Sequence, residues 1–187
     1  MIIKKILLAA SLVVIVLTIN NCSAVSETKK NELSNKFWTN TDSEILADSL
    51  IGELLMAKDI ADFLVKYKPK ILVGKVTNLT DEKINSTLIE KNIERSLLNS
   101  GKTAFISDKN KLEESRINRK NVSDFKSAKE FNKYLKLLKS DYFLTGELEL
   151  NIDSLSTIAR KEYKFGVQVL KIKNMETVFN KSVSIFK

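Results

Sequence analysis

The chain of 187 residues contains a single cysteine, Cys22, and this limits how the protein can be stabilised. Without a second cysteine no intramolecular disulfide can form, so the fold must rest on a packed apolar core, and the chain is long enough for one such domain. Histidine is absent. Its absence excludes Ser-His-Asp and Cys-His catalysis and the usual histidine-containing zinc sites. We therefore expect no catalytic residue, no metal site and no cofactor.

Cys22 directly follows a short apolar N-terminal segment. Two lysines precede an apolar run from Ile6 to Ile19, which is short for a membrane-spanning helix but typical of the core of a secretory signal. Residues 17–22 resemble a lipobox, with Asn21 where glycine or alanine is usual. We interpret residues 1–21 as a lipoprotein signal peptide and Cys22 as the lipidated N-terminus. The alternatives are an uncleaved anchor and a secreted protein with a free thiol.

The chain is basic, with a formal net charge of +8. Such a balance is compatible with binding to nucleic acid or anionic lipid. However, lysine, asparagine and isoleucine are abundant while proline and glycine are scarce, which is how an AT-rich genome encodes an ordinary surface. We therefore interpret the charge as a solvated surface and expect no nucleic-acid partner.

The mature chain divides into a tether and one domain. Residues 22–36 are polar and lack apolar periodicity, which predicts a short disordered tether spanning at most roughly 50 Å. Residues 37–187 are predicted to form one globular domain.

Four helices are predicted from apolar residues at helical spacing and from capping residues. They begin near Thr41, Asp59, Ser86 and Ser127. Capping boxes are predicted for Thr41 with Glu44 and for Ser127 with Glu130, and Gly101 should end the third helix at positive φ. The stripes predicted to face the core are Ala47, Leu50, Ile51, Leu54 and Leu55 in the first helix, Ile89, Ile93, Ser96 and Leu97 in the third, and Phe131, Tyr134, Leu135 and Leu138 in the fourth.

Five strands complete the predicted fold. They are Ile71–Val76, Thr103–Ile106, Tyr142–Asn151, Lys161–Lys173 and Val178–Phe186. The first is an apolar run, interrupted only by Lys75, and contains β-branched residues, which predicts a buried central strand. The charged residues 111–121 are interpreted as a loop or a short exposed helix. The element order predicts the α/β (α+β) class, a small mixed β-sheet with helices covering at least one face.

Three groups of residues are candidates for function. Glu44 and Asp48 share one helix face and could act in acid–base chemistry, although a solvated face is favoured. The outer face of the fourth helix carries lysines at positions 129, 133 and 136, which could contact anionic lipid or glycan; solvation is again favoured. Arg116, Arg119 and Lys120 are predicted to bind a partner, because arginine is scarce here and suits bidentate contacts with carboxylates.

Three segments of the chain resemble the LpoB family of penicillin-binding-protein activators. They are residues 38–50, which begin Trp-Thr-Asn-Thr-Asp, residues 69–80 with the following helix up to Lys102, and residues 141–148, Asp-Tyr-Phe-Leu-Thr-Gly-Glu-Leu. The resemblance implies a fold like that of the TolB N-terminal domain. It also implies a monomeric lipoprotein that is not an enzyme, binds a class A penicillin-binding protein and stimulates peptidoglycan synthesis by protein–protein contact.

The resemblance places the protein in the bacterial cell envelope, lipid-anchored and facing the periplasm, with the outer membrane favoured over the inner. One departure from the family is the tether, which is short and without proline, whereas the well-known members have a long proline-rich one. Two other functions stay open. The first is a structural or secretion-associated envelope lipoprotein that binds envelope components without activating a synthase. The second is a glycan hydrolase, which would need two converging carboxylates.

Overall fold

The computed structural model describes residues 36–64, 67–104, 109–153 and 160–187. Residues from Trp38 to Lys187 form one compact unit. The predictions for the signal peptide, for Cys22 and for nearly all of the tether lie outside the described residues. None of the described helices is long and apolar enough to cross a membrane.

The described elements form one four-stranded sheet packed with helices. In chain order they are α1 (Asn40–Met56), α2 (Lys58–Leu64), β1 (Ile71–Asn78), α3 (Ser86–Asn99), α4 (Lys109–Ile117), a 3-10 helix (Val122–Asp124), α5 (Ala128–Leu137), β2 (Tyr142–Asp153), β3 (Arg160–Lys171) and β4 (Glu176–Phe186). The strand order is β1-β2-β3-β4. β1 is parallel to β2, and the other two pairs are antiparallel. This mixed sheet confirms the predicted fold class.

The capping box predicted at Thr41 is wrong, because α1 begins earlier. Thr39 is the N-cap, and its backbone N–H donates to Oδ2 of Asp42 at 2.7 Å. Asp42 is itself buried and lies 2.8 Å from Nζ of Lys187. Thr39 with Asp42 and Thr41 with Glu44 both have the spacing of a capping box. The structure forms the box with Asp42, which also binds Lys187. At α5 the predicted N-cap is confirmed, since Ser127 Oγ accepts from the Glu130 N–H at 3.3 Å.

β1 lies at an edge of the described sheet, not at its centre as predicted. Its apolar run is nevertheless explained, because both of its faces are covered: Val73 and Val76 face one core, and Leu72 faces another. The predicted strand at residues 103–106 is represented by Ala104 alone, which forms an isolated parallel bridge with Lys70. Residues 105–108 lie outside the described part of the chain. The segment predicted as a loop or short helix contains most of α4.

The predicted stripes of α1, α3 and α5 are buried, except for Tyr134, which is half-buried. α1 and α3 pack on one face of the sheet and form the larger core with Tyr163, Phe165, Val167 and Val169 of β3. α5 packs on the other face, where Phe131, Leu135 and Leu138 meet Phe143 and Leu170 in a smaller core. The hydrophobic effect therefore acts mainly on the first face.

The part of the second face that α5 leaves uncovered is polar. β2, β3 and β4 border a shallow depression there, lined among others by Glu147, Glu149, Lys164, Gln168, Asn180 and Ser182. An antiparallel sheet commonly has one packed and one solvated face, and this sheet follows that rule over most of its second face.

Candidate partner-binding surface

Arg119, in the segment after α4, connects three elements through one side chain that is 6% exposed. Its Nη1 donates to the Val73 carbonyl oxygen, and its Nη2 donates to Oε1 of Glu94 at 3.0 Å. Its Nε lies 2.7 Å from Oε2 of Glu90, an ion pair without hydrogen-bond alignment. The guanidinium therefore fixes this segment to β1 and to α3 at once.

Glu90 is a buried carboxylate in α3. Its Oε1 accepts a hydrogen bond from the Val76 backbone N–H at 2.8 Å. Burial raises the pKa of Glu90, and the Val76 hydrogen bond and the charge of Arg119 act in the opposite direction. Arg119 and Val76 thus replace part of the stabilisation that water gives to an exposed carboxylate.

The segment of residues 119–121, which we call the clasp, packs against β1 at a bulge and reaches Thr145 of β2. At Lys75 the pairing of β1 with β2 is interrupted by a bulge. The Lys75 N–H donates instead to the Lys120 carbonyl at 3.0 Å, and its carbonyl accepts from Thr145 Oγ1 at 3.1 Å. The same hydroxyl lies 2.9 Å from Oδ1 of Asn121. The clasp therefore takes the place of a neighbouring strand at this point.

Gly74 is needed where the clasp meets β1. A Cβ on this residue would lie 2.3 Å from Cζ of Phe143 and 2.9 Å from the Lys120 carbonyl oxygen. Both distances are shorter than real carbon contacts allow, so a larger residue would push the clasp or the aromatic ring away.

The three predicted partner-binding residues are close together in the chain, but the structure places them in different environments. Arg119 is enclosed in the ion-pair cluster and holds the clasp, so reversing its charge would disturb the fold. Arg116 is 34% exposed and lies 3.1 Å from Glu94 and 3.4 Å from Glu113. Lys120 is exposed. A partner role stays a prediction, and accessibility favours it for Lys120 and Arg116.

A cleft of about 380 Å³ lies between α4 and α5, next to Lys120. It is lined by Glu114, Ser115, Asn118, Lys120, Tyr134, Leu137 and Leu138. Leu137 on α5, which lines the cleft, is 57% exposed. An apolar centre with a polar rim is the usual composition of a protein–protein contact. Sequence reasoning missed this cleft, although Leu137 was recognisable as an apolar residue outside the predicted stripe of α5.

Of the candidate carboxylates of α1, Asp48 is exposed. Glu44 is half-exposed, and its Oε1 lies 3.5 Å from Arg95 of α3. In the described ranges no group of three or more histidine, cysteine, aspartate or glutamate residues could hold a metal ion.

The family model of the peptidoglycan-synthase activator LpoB matches residues 42–185, most of the chain. The chain therefore belongs to this family of regulatory activators, and membership supports a general role in activating peptidoglycan synthesis in the cell envelope.

Two solved structures share the fold. The LpoB C-terminal domain from Salmonella enterica has a TM-score of 0.56 at 14% identity, covering 77% of this chain and 98% of that chain. The LpoB C-terminal domain from Escherichia coli has a TM-score of 0.55 at 14% identity, with the same two coverages of 77% and 98%. A comparison with curated protein sequences found no match.

Proposed function

We propose that this protein is a lipid-anchored, non-enzymatic activator of a class A penicillin-binding protein and acts by direct contact in the periplasm. The observation that carries the proposal is the extent of the family match, residues 42–185, which covers nearly all of the compact unit from Trp38 to Lys187. The matched region and the compact unit thus nearly coincide, which supports assigning the proposed activity to this domain.

Activation by contact requires that the domain prefer one conformation of the synthase. A preference of roughly 100-fold, about 2.7 kcal/mol, would raise the active conformation from about 1% to about half of the population. The cleft between α4 and α5, which Lys120 helps to line, is the contact surface we propose. Its exposed apolar surface can be buried on binding, which supplies free energy, and Lys120 can select the partner. Arg116 lines a separate pocket on the side of α4 that faces α3.

Anchoring at Cys22 would hold the domain near its partner. In this proposal residues 1–21 are removed, Cys22 carries two or three acyl chains that bind the membrane firmly, and residues 22–36 connect to a monomeric domain at 37–187. The anchor raises the effective concentration of the domain at the synthase. The tether is short, so the anchoring membrane, for which the outer membrane is favoured, must lie close to the synthase.

The anchoring part is tested by mass spectrometry of the mature N-terminus. We expect a lipid-modified Cys22 in the wild-type protein and an unprocessed or soluble Cys22→Ser variant. An unmodified thiol at Cys22 in the wild-type protein would refute the lipid anchor.

The activator part is tested by a pull-down from solubilised envelopes together with a glycan polymerisation assay. We expect the full mature protein to recover a penicillin-binding protein and to stimulate it. Lys120→Glu should weaken the pull-down, whereas Lys83→Glu, an exposed lysine after β1, should not. Recovery of other envelope components without a penicillin-binding protein would favour the structural or secretion-associated alternative.

A further inference from the structure

α5 carries a basic face on the side that points away from the sheet. Lys129, Lys133 and Lys136 are exposed and lie on one side of the helix at helical spacing. Between residues 126 and 139 the chain contains five lysines and one glutamate. Within the described ranges, none of these five lysines forms an ion pair. This positive charge is not compensated within the fold.

The carboxylates near this face are engaged in local structure. Glu130 accepts from the Lys126 N–H at 3.2 Å, and Asp124 accepts from the Asn121 N–H at 2.7 Å. Asp141 accepts from the Lys70 N–H at 2.8 Å. Glu130 and Asp124 close local turns, Asp141 connects the residue before β2 to the residue before β1, and in the described part of the chain none of the three forms an ion pair with a lysine of α5.

The basic face and the cleft form one continuous surface through Leu137. This residue lines the cleft together with Lys120 and Tyr134. It also lines a shallow depression with Lys129, Lys133 and Lys136. An exposed apolar residue thus lies between a cleft and a row of lysines. A partner that fits would present an apolar side chain surrounded by acidic residues.

The surface lies on the opposite face of the sheet from Trp38, the first residue of the compact unit. Trp38 packs against Tyr163 near the beginning of β3, with ring centroids 5.3 Å apart, on the side of the larger core. α5 packs on the opposite face, against Phe143 and against Leu170 near the end of β3.

We propose that the lysine face of α5, together with Leu137, is the docking surface for an acidic surface of the synthase. This proposal rests on the proposed function and adds the chemistry of the partner. Charges at the rim of an interface act mainly on the association rate, because they steer the two proteins before contact. Leu137, which would become buried, should act mainly on the dissociation rate.

The test measures association and dissociation rates between the full mature protein and a purified class A penicillin-binding protein from the same organism, at several salt concentrations. The variant K129Q/K133Q/K136Q should associate about tenfold more slowly at low salt and show a weaker salt dependence. The matched control K83Q/K91Q/K102Q removes the same charge from exposed lysines elsewhere and should change the rate less than twofold. L137A should dissociate faster.

Equal association rates for the two triple variants, or a wild-type rate that does not depend on salt, would overturn the inference but leave the proposed function standing. No binding by the wild-type protein would overturn both. A second measurement tests binding of the same variants to vesicles of phosphatidylglycerol and phosphatidylcholine. If the lysines of α5 are required for vesicle binding and not for synthase binding, the face binds lipid and the inference is wrong.

Discussion

The two faces of the sheet are built differently. The face under α1 and α3 is closed by a continuous apolar core. On the other face α5 covers one end, and mainly polar side chains line the rest. Stability is thus concentrated on one face, and the second face with its adjoining edge is free to carry charge and exposed apolar residues. A domain can bind a partner through such a surface without weakening its own core.

The largest expected effect lies on the closed face. Phe165→Ala should lower the free energy of unfolding by about 3–5 kcal/mol, because the ring is fully buried and its loss leaves a cavity. Phe186→Ala is the control on the open face, where the ring is 52% exposed and lies under the Arg160 guanidinium; it should cost at most about 1 kcal/mol. Chemical denaturation measures both, and similar losses would contradict the contrast between the faces.

Among the polar contacts, those that hold the clasp should cost the most stability when they are removed. Arg119→Met should destabilise by about 3 kcal/mol, since it leaves the buried carboxylate of Glu90 without its cation. Arg116→Met removes a partly exposed cation and should cost less than about 1 kcal/mol. Thermal unfolding compares the two variants. If Arg119→Met were as stable as Arg116→Met, the buried ion pairs would not be what holds the clasp.

A smaller change in stability is expected at two glycines in or directly after the helices on the closed face. Gly101 follows α3 at φ 64°, as predicted, and Gly101→Ala should cost about 1 kcal/mol because Cβ is strained there. Gly52 lies inside α1 with open space at its Cβ position, so Gly52→Ala should stabilise by roughly 0.5–1 kcal/mol. The same substitution thus has opposite signs, and two shifts of melting temperature in one direction would refute this.

The smallest effect is the pH dependence contributed by Glu90. Its pKa in the folded state is raised above the ordinary value of 4.5, so its contribution to stability is full below the unfolded pKa. That contribution is lost as the pH rises through the folded pKa. The free energy of unfolding of the wild type, minus that of Glu90→Gln, should therefore fall as the pH rises from about 4 upward. Denaturation curves over this range check the sign, and a rising difference would contradict it.

Most of the fold follows from local patterns. The limits of α3, Ser86 and Asn99, agree with the prediction because the apolar stripe is regular and Gly101 ends it. β1 was assigned correctly as a strand and wrongly as a central one. A continuous apolar run shows that both faces are covered, but it says nothing about which strands pair along the edges. Here the Lys120 carbonyl of the clasp, not a strand, accepts the Lys75 N–H of β1.

The site was less predictable than the fold, because its contacts join residues that are far apart in the chain. The charged residues 111–121 were interpreted as exposed, because no apolar period marks them. Arg119 instead reaches Glu94 and Val73, which are 25 and 46 residues away in the chain. No local pattern encodes contacts of that separation. The partner role of Arg116 and Lys120 and the lipidation of Cys22 stay predictions.

The bulge at Lys75 gives this protein an internal reporter of local opening. The Lys75 N–H is held by the Lys120 carbonyl and not by the sheet ladder. Its exchange with solvent deuterium therefore requires release of the clasp, whereas neighbouring β1 amides bonded within the sheet require the strands to separate. The exchange rate at one backbone position would thus measure how often residues 119–121 leave the sheet while the rest of the domain stays folded.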